Sequence, residues 1–567
     1  MSASPQAQSA PLASPWRGAA LIVLVAAAAY YTSFRGVFVF DDVQAIVENP
    51  TIRSLAGAWS PPPGGLTVSG RPVLNLSFAL NHAISGLNPW SYHALNLAIH
   101  TAAALVLFGL ARRTLQLPSV PERWRGEAAR IALAVALLWV VHPLQTQAVT
   151  YVVQRAESLM GLFYLLTVYA FLRGATAEGR SGRWFVAALA ACLLGMGTKE
   201  VMATTPLMVL LFDRTFIAGS FAEAWRRRWR VHAALMATWI PLAWMILNNA
   251  GGNRGGTAGF GSTEWSGYAL TQFEAVAHYF RLSVWPHPLA LDYGPIRVPA
   301  IGPMALQAMA VIAAVIGTLW ALWRRPAAGF LGVWFLGVLA TTSLVPGVHQ
   351  VIAEHRMYLS LAAVLMAVVL VLRLAAGRAA WWVVSGLAVA GITLTAQRNR
   401  DYHSVIGIWA DTVAKRPANT NARNNLANAL ADAGRLEEAM GEYRAAIALA
   451  PDMVDARYNL ALALTGLGRP QEAVPHLQEA LRLRPNYAPA AAALGDAWSD
   501  LGRFADAISH YETALRLKPN DAEAHHNLGA ALVQLGRIPE ARHHLAEAVR
   551  LRPESAEFRA HLDALGR

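Results

Sequence analysis

Charge is scarce in this sequence. Only 14% of its 567 residues are Asp, Glu, Lys or Arg, against about 25% in soluble domains. A chain so depleted cannot present a water-facing surface along its whole length. Cysteine is scarcer still. The single thiol, Cys192, excludes an internal disulfide and a cysteine-ligated metal cluster, and its place in an apolar run makes it a buried, inert side chain. There is no P-loop, no dinucleotide-binding glycine fingerprint, no recognisable Ser-His-Asp order and no zinc helix motif. His93 and His100 stand two turns apart on one apolar segment with no third ligand in view, so no metal is assigned there. Nucleic-acid binding is excluded by how the charge is distributed. Residues 1–399 hold 28 Lys+Arg against 14 Asp+Glu, and residues 400–567 hold 19 against 21. The overall +12 therefore lies between apolar runs, where basic residues set membrane topology.

What the sequence has is 55% hydrophobic residues, gathered before residue 400. A membrane helix takes about 20 mostly apolar residues. Spans are expected near 19–38, 92–112, 128–142, 157–173, 184–198, 201–213, 231–248, 303–323, 327–346, 357–374 and 380–396, eleven in all. Three are short, as helices that line a cavity rather than lipid are. Residues 1–18 read as a disordered cytoplasmic segment and the first apolar run as an uncleaved anchor. Arginines follow the even-numbered spans: Arg112 and Arg113, Arg173, the cluster Arg226, Arg227, Arg228 and Arg230, Arg324 and Arg325, Arg373 and Arg378. Basic residues face the cytoplasm. The amino terminus is then cytoplasmic, and 39–91, 143–156, 249–302, 347–356 and the tail lie on the other side. The segment 268–290 is amphipathic and is expected to lie in the interface or re-enter.

After residue 400 the pattern changes to repetition. Prolines recur every 34 residues at Pro417, Pro451, Pro485, Pro519 and Pro553, and glycines at Gly434, Gly468, Gly502 and Gly536. Leu426, Leu460, Leu494 and Leu528 keep the same step, as do Ala439, Ala473, Ala507 and Ala541. A 34-residue period of this kind resembles the tetratricopeptide repeat. Glycine ends the first helix of each pair in a left-handed cap, small alanines let the two helices approach, and proline stops the second. Repeats are expected at 420–453, 454–487, 488–521 and 522–555, with a capping helix at 556–567 and a half repeat around Trp409. Such stacks form a concave groove. Asn425, Asn459 and Asn527 occupy equivalent positions on it, interrupted by Ala493. They are candidates for holding an extended peptide backbone of a protein partner, or they are repeat consensus.

Polar residues gather at the span ends assigned to the outer side. Asp41 and Asp42 follow the first span directly. A carboxylate held partly desolvated there has a raised pKa and suits a general base. The other reading is that one of them caps the short helix VQAIVEN. Arg71, His93, Asn96, His142, Gln147, Arg155, Glu157, Lys199, Glu200, Asp292, Tyr293, Glu354, His355, Arg356 and Tyr358 stand on the same side. Ionisable groups at span ends are expensive unless they face water or a partner. Together they point to an outward-opening polar cavity whose Arg, Lys and His side chains hold a phosphate or diphosphate. The alternative is a set of structural ion pairs such as Lys199 with Glu200.

The order of segments is FVFDD, GRPVLNLSFALNHAISGLNPWSYHALNLAIH, HPLQTQAVTYVVQRAESL, TKEVMATTPLMVLLFD, LDY and AEHRMYLS, then repeats. It resembles the transmembrane and tetratricopeptide-repeat protein family over nearly the whole chain. Eukaryotic members are protein O-mannosyltransferases of the polytopic GT-C class, acting in the endoplasmic reticulum lumen. The resemblance implies an all-α fold of two parts: a GT-C-like membrane bundle at 19–399 and a repeat solenoid at 400–567. It also implies a polyprenyl-phosphate sugar as donor, a protein Ser/Thr acceptor, a base in the pair Asp41-Asp42, and inversion at the anomeric carbon. Arg71, Arg155, Lys199 or Arg356 would then stabilise the departing phosphate. Some GT-C enzymes use a divalent metal and many use none. One departure stands out: the family's His-Pro-x-His-Thr-Glu is His142-Pro-Leu-Gln-Thr-Gln147 here, without its carboxylate. Arginine far outnumbers lysine, which suits a bacterial source, a periplasmic outer side and an undecaprenyl-phosphate donor. A membrane-anchored, non-catalytic scaffold for envelope assembly is the competing reading. A transporter is disfavoured by the lack of inverted repeats and paired broken helices.

Overall fold

The computed structural model describes residues 15–179, 181–248, 265–294, 302–344 and 351–566. Every regular element among them is helical. The chain divides into two compact units, Met1–Ile408 and Trp409–Arg567. The expected boundary at 399 falls inside the helix Ala380–Asp401, because the last apolar helix continues through Gln397 to Asp401 before it ends. Most of the segment expected to be disordered, 1–18, lies outside the described residues. Its last four residues belong instead to the helix Pro15–Tyr30, whose opening proline suits the first helical position.

Each of the eleven expected apolar segments contains helix among its described residues. Eight helical stretches among the described residues are long and apolar enough to cross a membrane, or nine if the bent pair Ala128–Val140 and Pro143–Val149 is one span. Two facts account for the difference from eleven. Ser181–Met196 has only 16 residues. The 48-residue stretch Glu354–Asp401 holds two helices, Met357–Ala376 and Ala380–Asp401, joined through Gly377 at φ 55°. The 55° bend comes at His142-Pro143, where proline brings no N–H and holds the residue before it extended; His142 has φ −67° and ψ 128°. The amphipathic segment is a helix over Trp265–Val284 and is not among the eight. Its Tyr268 hydroxyl donates to the Thr342 carbonyl at 2.6 Å, and its Tyr279 hydroxyl accepts from the Ala353 N–H at 2.9 Å.

Membrane helices associate through close packing at small residues. A Cβ on Gly161 would lie 2.5 Å from the Tyr358 ring, so only glycine admits that ring. Around it, Trp139 donates from its indole to the Tyr358 carbonyl at 2.9 Å, and the Tyr358 hydroxyl meets His100 Nδ1 at 3.0 Å. The other nitrogen of His100 faces the Val140 carbonyl at 3.0 Å, and His93 faces that of Gly36 at 3.1 Å. Both nitrogens of His100, and Nε2 of His93, therefore face protein oxygens. Arginines pin other helix ends. Arg373 Nε donates to Glu127 at 2.7 Å, and buried Asp213 accepts from Arg228 and His232.

In the second unit the helix pairs are Thr420–Asp432 with Leu436–Leu449, Val454–Gly466 with Pro470–Leu483, Ala488–Asp500 with Phe504–Leu517, and Ala522–Gln534 with Ile538–Leu551; the capping helix is Ala556–Ala564. The glycines at 434, 468, 502 and 536 have φ between 71° and 75°, the left-handed conformation that ends each first helix.

Candidate active site

The turn that follows the first apolar helix separates its two carboxylates. Phe40 has φ 47°, the one non-glycine residue with positive φ among those described, and such a conformation costs roughly 1–3 kcal/mol unless its surroundings enforce it. Asp42 supplies that enforcement. Its side chain is fully buried; Oδ2 accepts the Val39 N–H at 3.0 Å and Oδ1 accepts the Val153 N–H at 2.7 Å. It makes no side-chain cap to the short helix Val43–Val47, so the capping reading does not hold for Asp42. Burial pushes the Asp42 carboxyl up to about 8, with the two N–H bonds pulling the other way. Asp41 is only half-buried. Its N–H donates to the Tyr151 hydroxyl at 3.0 Å, and that hydroxyl also interacts with the Asp41 carboxylate. Tyr151, which sequence reasoning passed over, is thus the partner of the more accessible acid. No motif marks it, because the contact joins residues 110 positions apart.

The basic residues form crosswise ion pairs. Arg71, at the start of the helix Pro72–Ser85, donates to Glu200 at 2.8 Å, and Lys199 to Glu157 at 2.7 Å. The expected Lys199–Glu200 pairing is not formed, because Lys199 is extended (φ −155°, ψ 151°) and adjacent side chains on extended backbone point apart. Arg71 and Glu157 are buried, whereas Glu200 keeps 26% of its side-chain surface exposed. Burial holds the Lys199 ammonium below the usual lysine range, with Glu157 opposing the shift. Arg71, Lys199 and Arg356 lie within electrostatic reach of His355, and Arg356 also within reach of Glu157.

Gln147 stands where the family motif has a carboxylate. Its amide nitrogen donates to the Leu291 carbonyl at 2.9 Å, and its oxygen accepts from the His355 N–H at 2.9 Å and faces His355 Nδ1 at 3.1 Å. A carboxylate accepts but does not donate, so this chain uses the amide for a bond that an ionised Glu could not make. Next to it, buried Glu354 accepts from the Ala290 N–H and the Tyr293 hydroxyl, both at 2.7 Å. That contact joins the LDY and AEHRMYLS segments. Residues 151–157 connect the two halves of the site: Tyr151 holds Asp41, Val153 holds Asp42 and Glu157 holds Lys199.

Two expected phosphate ligands do other work. Arg155 is fully buried. It donates to Asn96, to the Ser77 carbonyl and hydroxyl, and to the Tyr92 carbonyl, with its guanidinium 4.6 Å from the Phe78 ring centroid. Four of its five N–H groups are thus taken within the fold. His142 bridges the Leu144 N–H and the Ser283 carbonyl, tying the bent pair to the amphipathic helix. Both are structural because their donors end on backbone or buried side chains.

The asparagine series in the repeats also reads differently. The Asn459 amide donates to Asn428 Oδ1 at 3.0 Å, and Tyr443 donates to the same oxygen at 2.6 Å. Two repeats on, Asn527 and Tyr511 both donate to Asp496 Oδ1, at 2.9 and 2.7 Å. The amide nitrogens of Asn459 and Asn527 thus bind neighbouring repeats together, as the repeat-consensus reading expects. Asn425 is half-buried. Asn428, Asp432, Tyr443 and Asn459 do line a cavity of about 380 Å³.

Comparison with known proteins fits this division. Models described as TPR repeat match residues 427–468 and 495–536, and models described as tetratricopeptide repeat match 454–487 and 522–555. The chain is 36% identical over 182 residues to protein O-mannosyl-transferase TMTC1 of Mus musculus, covering 30% of this chain and 18% of that one. It is 27% identical over 343 residues to protein O-mannosyl-transferase Tmtc2 of Drosophila melanogaster, covering 55% of this chain and 34% of that one. An alignment of that length cannot be contained in the tail after residue 399, so it reaches into the membrane unit. In both cases the chain spans well under half the relative's length. A crystal structure of MamA protein aligns with 25% identity and a TM-score of 0.25, over 27% of this chain and 83% of that one. The chain is a multi-pass membrane protein with tetratricopeptide repeats, similar over part of its length to the TMTC protein O-mannosyl-transferases.

Proposed function

We propose that the chain is a GT-C-type glycosyltransferase that moves a sugar from a polyprenyl-phosphate donor to a Ser or Thr hydroxyl of a protein. The observation that carries this reading is the strained Phe40 turn. Strain of this kind persists where surrounding structure over-determines it and tends to collect at functional sites. Here Asp42 and Tyr151 fix the turn and leave Asp41 half-exposed. Asp41 is then the base and Asp42 its positioning residue. Asp41 takes the proton of the acceptor hydroxyl, whose oxygen bonds to the anomeric carbon from the face opposite the phosphate. The bond from that carbon to the phosphate oxygen breaks, and polyprenyl phosphate leaves with the electron pair. Arg71, Lys199 and Arg356, with His355, would meet that developing charge. Glu200, the more exposed partner, would swing away so that Arg71 can turn to the phosphate. No metal ligand is assigned for this step. The repeats would hold the protein acceptor or a partner. In this reading the protein sits in a bacterial inner membrane with the repeats in the periplasm, as the arginine bias before residue 400 favours.

The test is transfer of mannose, the sugar in the relatives' names, from a synthetic polyprenyl-phosphate donor to protein by membranes carrying the chain. Loss of transfer in Asp41→Asn with normal folding is the expected result. A second reading, a non-catalytic anchored scaffold, is favoured by one observation: Arg71 and Lys199 are already neutralised by Glu200 and Glu157. It predicts that Asp41→Asn leaves cellular function intact.

A further inference from the structure

We propose that the last repeat and the capping helix form a transition-metal site, of the zinc class, from His526, Glu557 and His561. The donor atoms of these three side chains lie within 4.8 Å of one another. His526 is 7% exposed; it stacks on Phe558 at 4.5 Å and lies edge to edge with the His561 ring, their centroids 4.8 Å apart and their planes 11° from parallel. Its Nδ1 faces Asn527 Oδ1 at 3.0 Å. The amide nitrogen of Asn527 is committed to Asp496 at 2.9 Å, so this oxygen can only accept. The proton of His526 is therefore on Nδ1, and Nε2 presents a lone pair. This is the arrangement that outer hydrogen bonds impose on metal-ligating histidines. Nε2 points at His561 Nδ1, 2.6 Å away. Two nitrogens at about 2.0–2.1 Å from a tetrahedral zinc stand roughly 3.3 Å apart. His561 is exposed and free to retreat by that small difference. Glu557 precedes His561 by four residues on the helix Ala556–Ala564, so the two face the same side.

Two further features suit a cation. A cavity of about 270 Å³ beside these residues is lined by His526, Asn527, Ser555, Glu557 and Phe558, with room for water or a partner's side chain as fourth ligand. Arg552, which also borders it, is balanced by Glu523 at 3.0 Å. Two imidazoles and a carboxylate are a ligand set that zinc accepts and that magnesium and calcium do not favour. The benefit to the fold is specific. The capping helix has nine residues, too few to be stable alone, and only Phe558 on it is buried. A metal would fasten it to the last repeat.

The experiment uses tag-free full-length protein in detergent, titrated with zinc chloride against a chromophoric chelator. Hydrogen exchange over 556–564 is followed in parallel. One zinc per chain in the micromolar range or tighter is expected, with slower exchange over 556–564. Glu557→Gln and His561→Gln should each weaken zinc at least about tenfold and abolish the added protection. Both positions are exposed, so circular dichroism of the zinc-free variants should match wild type. Absence of micromolar binding, equal binding by His561→Gln, or exchange over 556–564 that zinc leaves unchanged would overturn the proposal. None of these readouts depends on sugar transfer.

Discussion

Changing Asp41 and Asp42 one at a time separates the two roles assigned to them. Asp42→Asn replaces one accepting oxygen by an NH2 group, so either the Val39 or the Val153 N–H loses its partner inside the protein. One orphaned buried donor costs about 1–3 kcal/mol. Asp42→Ala strands both, roughly 2–6 kcal/mol, and frees Phe40 to leave its positive φ. Asp41 is half-buried and its N–H bond to Tyr151 survives substitution, so Asp41→Asn should change stability by no more than about 0.5 kcal/mol. Its effect should be chemical, a loss of roughly 10²–10⁴ in transfer rate if it is the general base. The assay pairs thermal melts of purified protein in detergent with mannosyl transfer in the same preparations. The pH dependence gives a third arm. With its folded pKa raised to about 8 from 3.8, Asp42 binds a proton in the folded state that the unfolded state has released. Its contribution is full below about pH 4 and is lost as pH rises through about 8; Asp42→Asn should flatten that slope. Wild-type transfer by a well-folded Asp41→Asn would refute the assignment of the base. Wild-type melting by Asp42→Ala would refute the account of the turn.

Other substitutions test the surrounding network. Lys199→Met leaves Glu157, 2% exposed, as an uncompensated buried charge and should lower stability by roughly 3–5 kcal/mol; Lys199→Met with Glu157→Leu should recover most of that in the same melts. Gln147→Glu restores the family's carboxylate but removes the donation to the Leu291 carbonyl, for an expected loss of about 1–3 kcal/mol without gain in transfer. In the repeats, burial raises the carboxyl of Asp496, so its contribution declines as pH rises through that elevated value. Asp496→Asn should remove that dependence, read as hydrogen exchange over 488–534 against pH. Tyr511→Phe deletes one of the two donors to Asp496 and should cost about 0.5–1.5 kcal/mol by the same exchange.

The repeats were the most legible part of the chain because their restraints are local. A glycine that must take positive φ and a proline that must stop a helix act within a few residues, so a 34-residue period locates each helix pair without knowledge of what it packs on. The same holds for the apolar helices, whose backbone must satisfy its own hydrogen bonds in lipid. It held less well at their limits. Ser181–Met196 has only 16 residues, and two expected spans join through Gly377 within one 48-residue helical stretch. In the candidate site, residue types were legible and partners were not. Asp41 and Asp42 are adjacent and chemically identical, and only the distant Tyr151 and Val153 make one accessible and the other structural. Arg155 has the sequence setting of a phosphate ligand, yet Asn96, Ser77 and Tyr92 take up its donors.

By itself, then, the sequence determined the elements and the two-part plan: helices from apolar length, repeat pairs from period, and a concentration of ionisable residues at span ends. Only the tertiary structure decided what those residues do. A buried charge or amide is defined by the group opposite it, and here those groups come from segments tens to hundreds of residues away, where no periodicity or spacing connects them.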